Sequence, residues 1–314
     1  MKYIDTHTHI NLRAFKDDSN ETIQRALDAE VAVVNVGTQI DTSKQAVELL
    51  KDFDQDVYAV VGLHPTHTYA HDYGDDEEVK FKTREEGFDY EAYKSLTQND
   101  RVVGIGECGL DYYRMPEDRD HDEIKRLQRE AFDAQIKLAL ELDLALCIHC
   151  RPSEGTTDAY DDLYEILKPL VVTGLKQDVI PAEAGIHDLD DERSRIYADA
   201  SSGIATNLRF EVHCFTGDLE TAQKFVELGG FIGLNGIITF DKTSRSEEVV
   251  KGVPLQNIIL ETDAPYLTPK SNRGKRNEPS YLPEVAQKIA KWKEVSEEEV
   301  ATQTTANAKK LFNI

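Results

Sequence analysis

The chain has 314 residues, of which 36 are lysine or arginine and 59 are aspartate or glutamate, so its formal net charge is −23. This acidic balance excludes a generally basic protein that coats nucleic acid. With 40% hydrophobic and 30% charged residues, the composition excludes wholesale disorder and is sufficient for a substantial core.

Sequence features that would indicate a membrane or an oxidising compartment are lacking. No apolar run approaches the ~20 residues of a membrane helix, and the N-terminus has no apolar segment typical of a secretory signal. The four cysteines have no dense, regular spacing and do not make a disulfide framework. We therefore expect a cytoplasmic protein with reduced thiols and no membrane partner.

Eight short segments rich in Val, Ile and Leu are candidate strands. In chain order they are 2–10, 31–37, 57–65, 101–110, 144–151, 210–215, 229–236 and 257–265. Between several of them, apolar residues at three- and four-residue spacings predict helices, as in 123–141 and 219–228. The alternation predicts a parallel sheet, and eight βα units are what a closed (β/α)8 TIM-type barrel requires. An open doubly wound sheet would give similar local patterns.

We predict one barrel domain over residues 1–314, with two irregular stretches. Residues 66–90 form a long acidic connection after the third strand, where a βα loop would lie on the functional face and could cover a site. Residues 172–209 separate a predicted helix at about 158–170 from the sixth strand, and they are predicted to be an insertion. A connection from a helix to a strand lies on the opposite face of a barrel, away from that site.

Imidazoles and carboxylates stand at or near the carboxyl ends of six predicted strands. They are His7 and His9, His64, Glu107, His149, His213 and Asp263. In a parallel barrel these strand ends meet at one rim, so residues far apart in the sequence would share a pocket. This convergence favours a barrel with a metal site at its C-terminal rim.

The residue types at this rim predict a centre for divalent metal ions. His7 and His9 are two residues apart, so both imidazoles point to the same side of a strand and can face one ion. Glu107 ends an apolar strand between glycines, where an unpaired carboxylate would be costly to bury. Four histidines and two carboxylates suffice for two ions if one carboxylate bridges them.

Several of these residues also have a structural interpretation. A lone buried histidine such as His149 or His213 is often a hydrogen-bonded core residue, and Asp263 could cap a helix. Cys147 and Cys150 lie three apart on a predicted strand and face opposite sides, which argues against a shared metal or a redox disulfide. The other histidines are predicted to lie at the surface: His67, His71, His121 and His187.

With these residues assembled, the sequence resembles the TatD family of metal-dependent deoxyribonucleases, within the amidohydrolase-like superfamily. The motifs stand in the family's order and span almost the whole chain: DTHTHI near the N-terminus, GLHP at 62–65, GIGECGLDYYR at 104–114, IHCR at 148–151, HCFTG at 213–217, ETDAPYL at 261–267 and RNEP at 276–279. The resemblance implies a barrel that hydrolyses phosphodiester bonds in DNA, often as a 3′ to 5′ exonuclease on single strands. The chain is longer than typical members, mainly in its two irregular stretches.

The resemblance also implies roles for the rim residues. His7, His9 and Asp263 would hold one metal, His149 and His213 the other, and Glu107 would bridge them. His64 would reach the substrate phosphate or its metal-bound water. Superfamily members that hydrolyse amides often use a carboxylated lysine as the bridge, so a glutamate favours the nuclease branch. Mixed imidazole and carboxylate ligands suit Zn or Mn better than Mg, which family members usually receive in assays, and the ion stays open among Mg, Mn and Zn.

The predicted reaction needs a base and contacts to phosphate. Asp263 is the candidate base, and Glu107 and His64 complete the candidate catalytic set. Guanidinium forks match phosphate oxygens, which makes four arginines candidate substrate contacts, although solvated surface charge is the alternative. They are Arg114, Arg151, Arg273 and Arg276. In the RNEP motif, Asn277 and Glu278 are expected to hold the loop in shape.

We expect the partner to be DNA, preferentially its single-stranded ends, because the net charge of −23 disfavours a hold on long duplex. The alternative is a small-molecule hydrolase of the same superfamily, acting on an amide, a lactone or a phosphoester. A non-catalytic scaffold is the weakest interpretation, since all the matched ligands are present. The sequence leaves open the preference for DNA or RNA and the oligomeric state.

Overall fold

The computed structural model describes residues 1–72, 82–171 and 208–314. Within them, eight strands form one parallel sheet in which each strand pairs with the next along the chain. They are β1 (Tyr3–Thr8), β2 (Val31–Val36), β3 (Val57–Val61), β4 (Val102–Asp111), β5 (Ala145–Arg151), β6 (Phe210–Val212), β7 (Phe231–Leu234) and β8 (Ile258–Leu260). Each coincides with a predicted strand, which confirms the strand predictions.

Hydrogen bonds between the first and last strands close the sheet into a barrel. The Thr6 hydroxyl donates to the Leu260 carbonyl at 3.2 Å. Just beyond β8, the Asp263 amide donates to the His7 carbonyl at 2.9 Å, and the His9 amide donates to the Ala264 carbonyl at 2.8 Å. The (β/α)8 barrel is therefore confirmed, and the open sheet is excluded.

Helices alternate with the strands. They are α1 (Ser19–Asp28), α2 (Ile40–Leu49), α3 (Tyr90–Leu96), α4 (His121–Leu142), α5 (Asp158–Val171), α6 (Leu219–Glu227), α7 (Ile237–Phe240), α8 (Arg245–Gly252), α9 (Leu282–Lys293) and α10 (Glu297–Phe312). The three helices predicted from apolar spacing are α4, α5 and α6. Helix α4 begins after Asp120, whose carboxylate accepts from the Asp122 amide at 3.0 Å.

Two buried glutamines of α4 attach this helix to the rim of the barrel. Gln128 accepts from the Asp111 amide at 2.9 Å and donates to the Asp111 carbonyl at 2.8 Å. Gln135 exchanges the same pair of bonds with the backbone of Leu63, at 2.8 and 3.0 Å. The strand ends that carry Glu107 and precede His64 are therefore held against a long helix.

The barrel has an apolar core on each side of its sheet. The outer core lies between the strands and the surrounding helices. The inner core fills the barrel, and the end of α10 contributes Leu311 and Phe312 to it, against Ala145 and Phe231 at the starts of their strands. Cys147 packs in the inner core, whereas residues of the outer core include Cys150. The two cysteines thus face opposite sides of β5, as expected.

The acidic stretch 66–90 is only partly irregular. Its described residues include the end of a 3-10 helix (Pro65–His67), an antiparallel ribbon in which His71 pairs with Thr83, and the first residue of α3. Residues 73–81 lie outside the described part of the chain, as do residues 172–207 of the predicted insertion and with them His187. None of the described helices is long and apolar enough to cross a membrane.

Candidate metal centre

His7 near the end of β1 and His9 just after it present their side chains to the same place, as their spacing predicts. Both side chains are buried, and their Nε2 atoms lie 3.3 Å apart. His9 Nδ1 lies 2.9 Å from the Val36 carbonyl. Donation to this carbonyl fixes the tautomer and leaves Nε2 free to act as a ligand. His9 Nε2 also lies 3.4 Å from Asp263 Oδ1, so this carboxylate joins the pair.

Asp263 takes its position from an unusual backbone conformation. Its φ is +55°, in the left-handed region that residues other than glycine rarely adopt. Hydrogen bonds hold the preceding residue in place, because the Thr262 amide and hydroxyl donate to the buried Asp5 carboxylate at 2.9 and 2.5 Å. The Asn277 side chain also donates to the Thr262 carbonyl, at 2.9 Å. Asn277 therefore holds this loop in shape, as expected for the RNEP motif.

The two carboxylate oxygens of Glu107 face two different groups of histidines. Oε1 lies 3.0 Å from His149 Nδ1, 3.1 Å from His213 Nε2 and 3.4 Å from His64 Nε2. Oε2 lies 3.6 Å from the Nε2 atoms of both His7 and His9. A carboxylate shared in this way occupies the position of a bridge between two groups of donors.

Glycine beside Glu107 allows β4 to run closely along β5. Gly109 has a φ of +129°, and a Cβ atom there would lie 2.1 Å from the His149 carbonyl oxygen. No side chain fits in that space, so Gly109 is needed for His149 to lie close to Glu107. This requirement explains one of the glycines that flank Glu107 in the sequence.

Two further carboxylates lie behind the histidines, and the sequence analysis did not assign them. Asp111 Oδ2 lies 3.0 Å from His149 Nε2. Glu261 Oε1 lies 3.5 Å from His213 Nδ1 and accepts from the Asn235 side chain at 2.9 Å. Carboxylates that contact the second ring nitrogen orient ligating histidines. Their sequence signal is the residue type alone, a carboxylate at the end of an apolar strand or just beyond it.

Burial and neighbouring charges set the protonation states of the site. Burial alone would raise the pKa of Glu107, but the facing His64, His213 and His149 lower it well below its usual range. Burial lowers the pKa of His7 to about 3. At neutral pH Glu107 is therefore ionised and His7 is neutral, the forms in which these groups bind metal. Burial alone would lower the pKa of His9, His149 and His213, but the carboxylates that face them raise it, so a metal ion must displace protons from these rings.

The donor set also fits a divalent cation. Three groups have donor atoms that all lie within 4.8 Å of one another: His7, His9 and Asp263; His7, His213 and Glu261; and His64, Glu107 and His149. The buried Nδ1 atom of His7 has no hydrogen-bond partner among the described residues. The first group is the one predicted for one metal. The third adds His64 to the possible ligands, a role that the sequence analysis did not give it.

The four predicted arginine contacts have different surroundings. Arg114 and Arg151 line a cavity of about 540 Å³. Arg273 is exposed, with its guanidinium 4.5 Å from the centre of the Phe240 ring. Arg276 makes two bonds to Asp18, at 2.8 and 2.6 Å, so most of its charge is already neutralised by this carboxylate.

The surface prediction for His67 is wrong. His67 is buried, because the 3-10 helix after β3 folds back over the rim beside His64, with the two ring centres 6.3 Å apart. Among the other predicted surface histidines, His121 is exposed at the start of α4.

Comparisons with known proteins agree with this arrangement. The family model described as "TatD related DNase" matches residues 4–313. The chain is 36% identical to an uncharacterized metal-dependent hydrolase, YabD, of Bacillus subtilis, over 99% of this chain and 98% of that protein. It is 29% identical to the 3′-5′ ssDNA/RNA exonuclease TatD of Citrobacter rodentium, over 99% of this chain and 97% of that protein.

A solved structure shows the same architecture. The TatD homologue YJJV from Escherichia coli superposes with a TM-score of 0.72 and 26% sequence identity, over 100% of this chain and 98% of that one. The family model matches almost the whole chain. The closed barrel and the donor set at its rim agree with this match. The chain belongs to the TatD-related DNase family and is a metal-dependent hydrolase.

Proposed function

We propose that this hydrolase cleaves phosphodiester bonds in DNA, as a 3′ to 5′ exonuclease on single strands. The observation that carries the proposal is the placement of Glu107, whose two oxygens face two groups of imidazoles at the open end of the barrel. This arrangement suits two divalent ions, which when bound activate water and neutralise charge on a phosphate. The Citrobacter rodentium relative is named a 3′-5′ ssDNA/RNA exonuclease, which supports the same substrate class.

We assign the following roles in phosphodiester hydrolysis to individual side chains. Asp263 accepts the proton of the attacking water, whose oxygen forms a bond to phosphorus as the bond to the leaving 3′ oxygen breaks. His64 contacts a phosphate oxygen, or serves as an additional ligand through its position beside Glu107. Arg114 and Arg151 contact phosphates of the strand from the adjoining cavity. The roles of Arg273 and Arg276, the single-domain organisation of residues 1–314 and the cytoplasmic location stay predictions from the sequence.

The test is hydrolysis of a 5′-labelled single-stranded DNA oligonucleotide by metal-stripped protein, with Mg, Mn and Zn added separately. Stepwise shortening from the 3′ end is expected with at least one ion. Glu107→Gln and Asp263→Asn should each lower kcat about 100-fold or more, because they remove the shared carboxylate and the base. The matched controls Glu165→Gln and Asp54→Asn change exposed carboxylates and should retain activity.

The outcomes separate the two candidate functions. Cleavage that persists in both site variants would contradict the proposed roles of Glu107 and Asp263. If the protein binds metal but cleaves neither DNA nor RNA with any ion, the alternative of a small-molecule amide, lactone or phosphoester hydrolase takes its place.

A further inference from the structure

Tyr113 is an exposed aromatic side chain at the mouth of the site. It is 48% exposed, and among the described residues only Met1 is another large hydrophobic side chain that is exposed to this degree. The Arg151 guanidinium lies 3.9 Å from the centre of the Tyr113 ring. The two planar groups are therefore held together, while nearly half of the tyrosine remains accessible to solvent.

Tyr113 and Arg151 line the cavity of about 540 Å³ that also contains Arg114. This cavity adjoins the metal centre through two connections. Arg151 stands two residues after His149 on β5, on the same side of the strand. The Asp111 carboxylate lies 3.0 Å from His149 Nε2 and accepts from the Arg114 amide at 2.9 Å.

The lining of the cavity suits a nucleobase better than a phosphate at its outer end. Met115 and Pro116 add apolar surface beside the tyrosine ring, and the exposed Glu117 and Asp118 also line the cavity. These two carboxylates would repel a phosphate, whereas a nucleobase is flat and uncharged. The volume of the cavity lies within the range of small-molecule binding sites.

We propose that Tyr113 and Arg151 form a stacking platform for an unpaired nucleobase of the strand whose phosphate lies at the metal centre. The inference rests on the proposed nuclease function and adds a determinant of substrate choice to it. A base can stack on a side chain only when it is not stacked within a duplex, and such stacking tolerates any base sequence. The platform therefore favours single-stranded ends over duplex ends without sequence preference.

The experiment compares the wild type, Tyr113→Ala and Tyr113→Phe on single-stranded DNA whose terminal nucleotides carry bases or are abasic. On the normal strand, Tyr113→Ala should lower kcat/KM about 10-fold through KM, since it removes a stacking surface. Tyr113→Phe retains the ring and should recover most of this loss. On the abasic strand the wild type should fall to the level of Tyr113→Ala. The control Tyr164→Ala removes a half-buried ring on α5 that lies 5.3 Å from Lys168 and does not line this cavity, so the folded variant should retain kcat/KM.

Binding of the same oligonucleotides, measured by fluorescence anisotropy, separates the platform from the reaction. Equal kcat/KM and equal affinity for the wild type and Tyr113→Ala would overturn the platform. An undiminished effect of Tyr113→Ala on the abasic strand would overturn it too, because the loss would then not arise from a base. Affinity that depends on Tyr113 without any cleavage would support the platform and overturn the proposed nuclease function.

Discussion

His67 illustrates how burial changes the behaviour of a single residue. Its side chain is buried beside His64, and burial with this neighbour lowers the pKa of His67 to about 3. The pKa of a histidine in an unfolded chain is about 6.5. Below this pH the unfolded state takes up a proton that the folded state does not, so the free energy of unfolding falls as the pH falls.

We expect His67→Gln to remove this part of the pH dependence. From about pH 6.5 downward, the metal-free wild type should lose up to about 1.4 kcal/mol of stability per pH unit through His67, relative to the variant. Urea unfolding of both proteins at several pH values between neutral and mildly acidic measures the difference. A stability difference that does not change with pH would contradict the role of burial.

The convergence of imidazoles and carboxylates at one rim was predictable from the sequence, because such groups are costly to bury at the ends of apolar strands unless they find polar partners there. The orienting roles of Asp111 and Glu261 were not predictable from the sequence, because each carboxylate contacts a histidine of another strand. The ion pair of Arg276 was not predictable either, because its partner Asp18 lies near the other end of the chain. Local sequence shows residue types and spacing, whereas these contacts depend on how distant segments meet.

At the scale of elements, the strands were predictable because parallel strands buried on both faces read as continuous apolar runs. The short antiparallel ribbon at His71 and Thr83 was not predictable, because its pairing depends on a connection that has no apolar periodicity. The close approach of β4 and β5 was also not predictable in detail, although its glycines were visible. It depends on the space beside His149, which only the packed strands define.

Gly109→Ala should disrupt this approach. The added methyl group would meet the His149 carbonyl oxygen at 2.1 Å, in a backbone conformation that disfavours a side chain. We expect a loss of about 3 kcal/mol or more in the free energy of unfolding and weaker metal binding, because β5 must move away. Thermal unfolding and metal titration measure both effects. Gly87→Ala is the control, since nothing lies within 4 Å of its added methyl group, and equal stability losses in the two variants would refute the steric account.

The end of α10 contributes to the barrel interior, away from the chemistry. Phe312 is buried among inner-core residues that include Ala145 and Phe231. Phe312→Ala should lower the free energy of unfolding by about 3 to 5 kcal/mol while retaining kcat well below the melting temperature. Lys309→Ala, at an exposed position of the same helix, should change stability little. A large loss of kcat without a loss of stability would show that this end of the barrel affects the site directly.

At the scale of the whole molecule, the net charge of −23 opposes the binding of a polyanion. In the described part of the chain, the guanidinium groups of Arg114 and Arg151 make no ion pair with a carboxylate, which leaves them available beside the metal centre. These two cations beside the metal centre attract the phosphates of only a short length of strand. Composition alone showed the charge, but the location of the free cations required the fold.

We expect weak binding of long duplex DNA and a shallow salt dependence for single strands. With few phosphates neutralised, the slope of log affinity against log salt should stay below about 3 in magnitude. Fluorescence anisotropy between about 50 and 200 mM salt measures it. Tight binding of long duplex at physiological salt would contradict this confinement.

The closure of the barrel also determines when a newly made chain can acquire its metal. His7 and His9 leave the ribosome well before Asp263, which follows β8, and the bonds between Asp5 and Thr262 join residues 257 positions apart. A nascent chain that has not yet exposed β8 lacks both the carboxylate and the barrel wall that holds it. The group of His7, His9 and Asp263 is therefore completed only after residue 263 has been synthesised, so hydrolytic activity that needs this group cannot begin before β8 is in place.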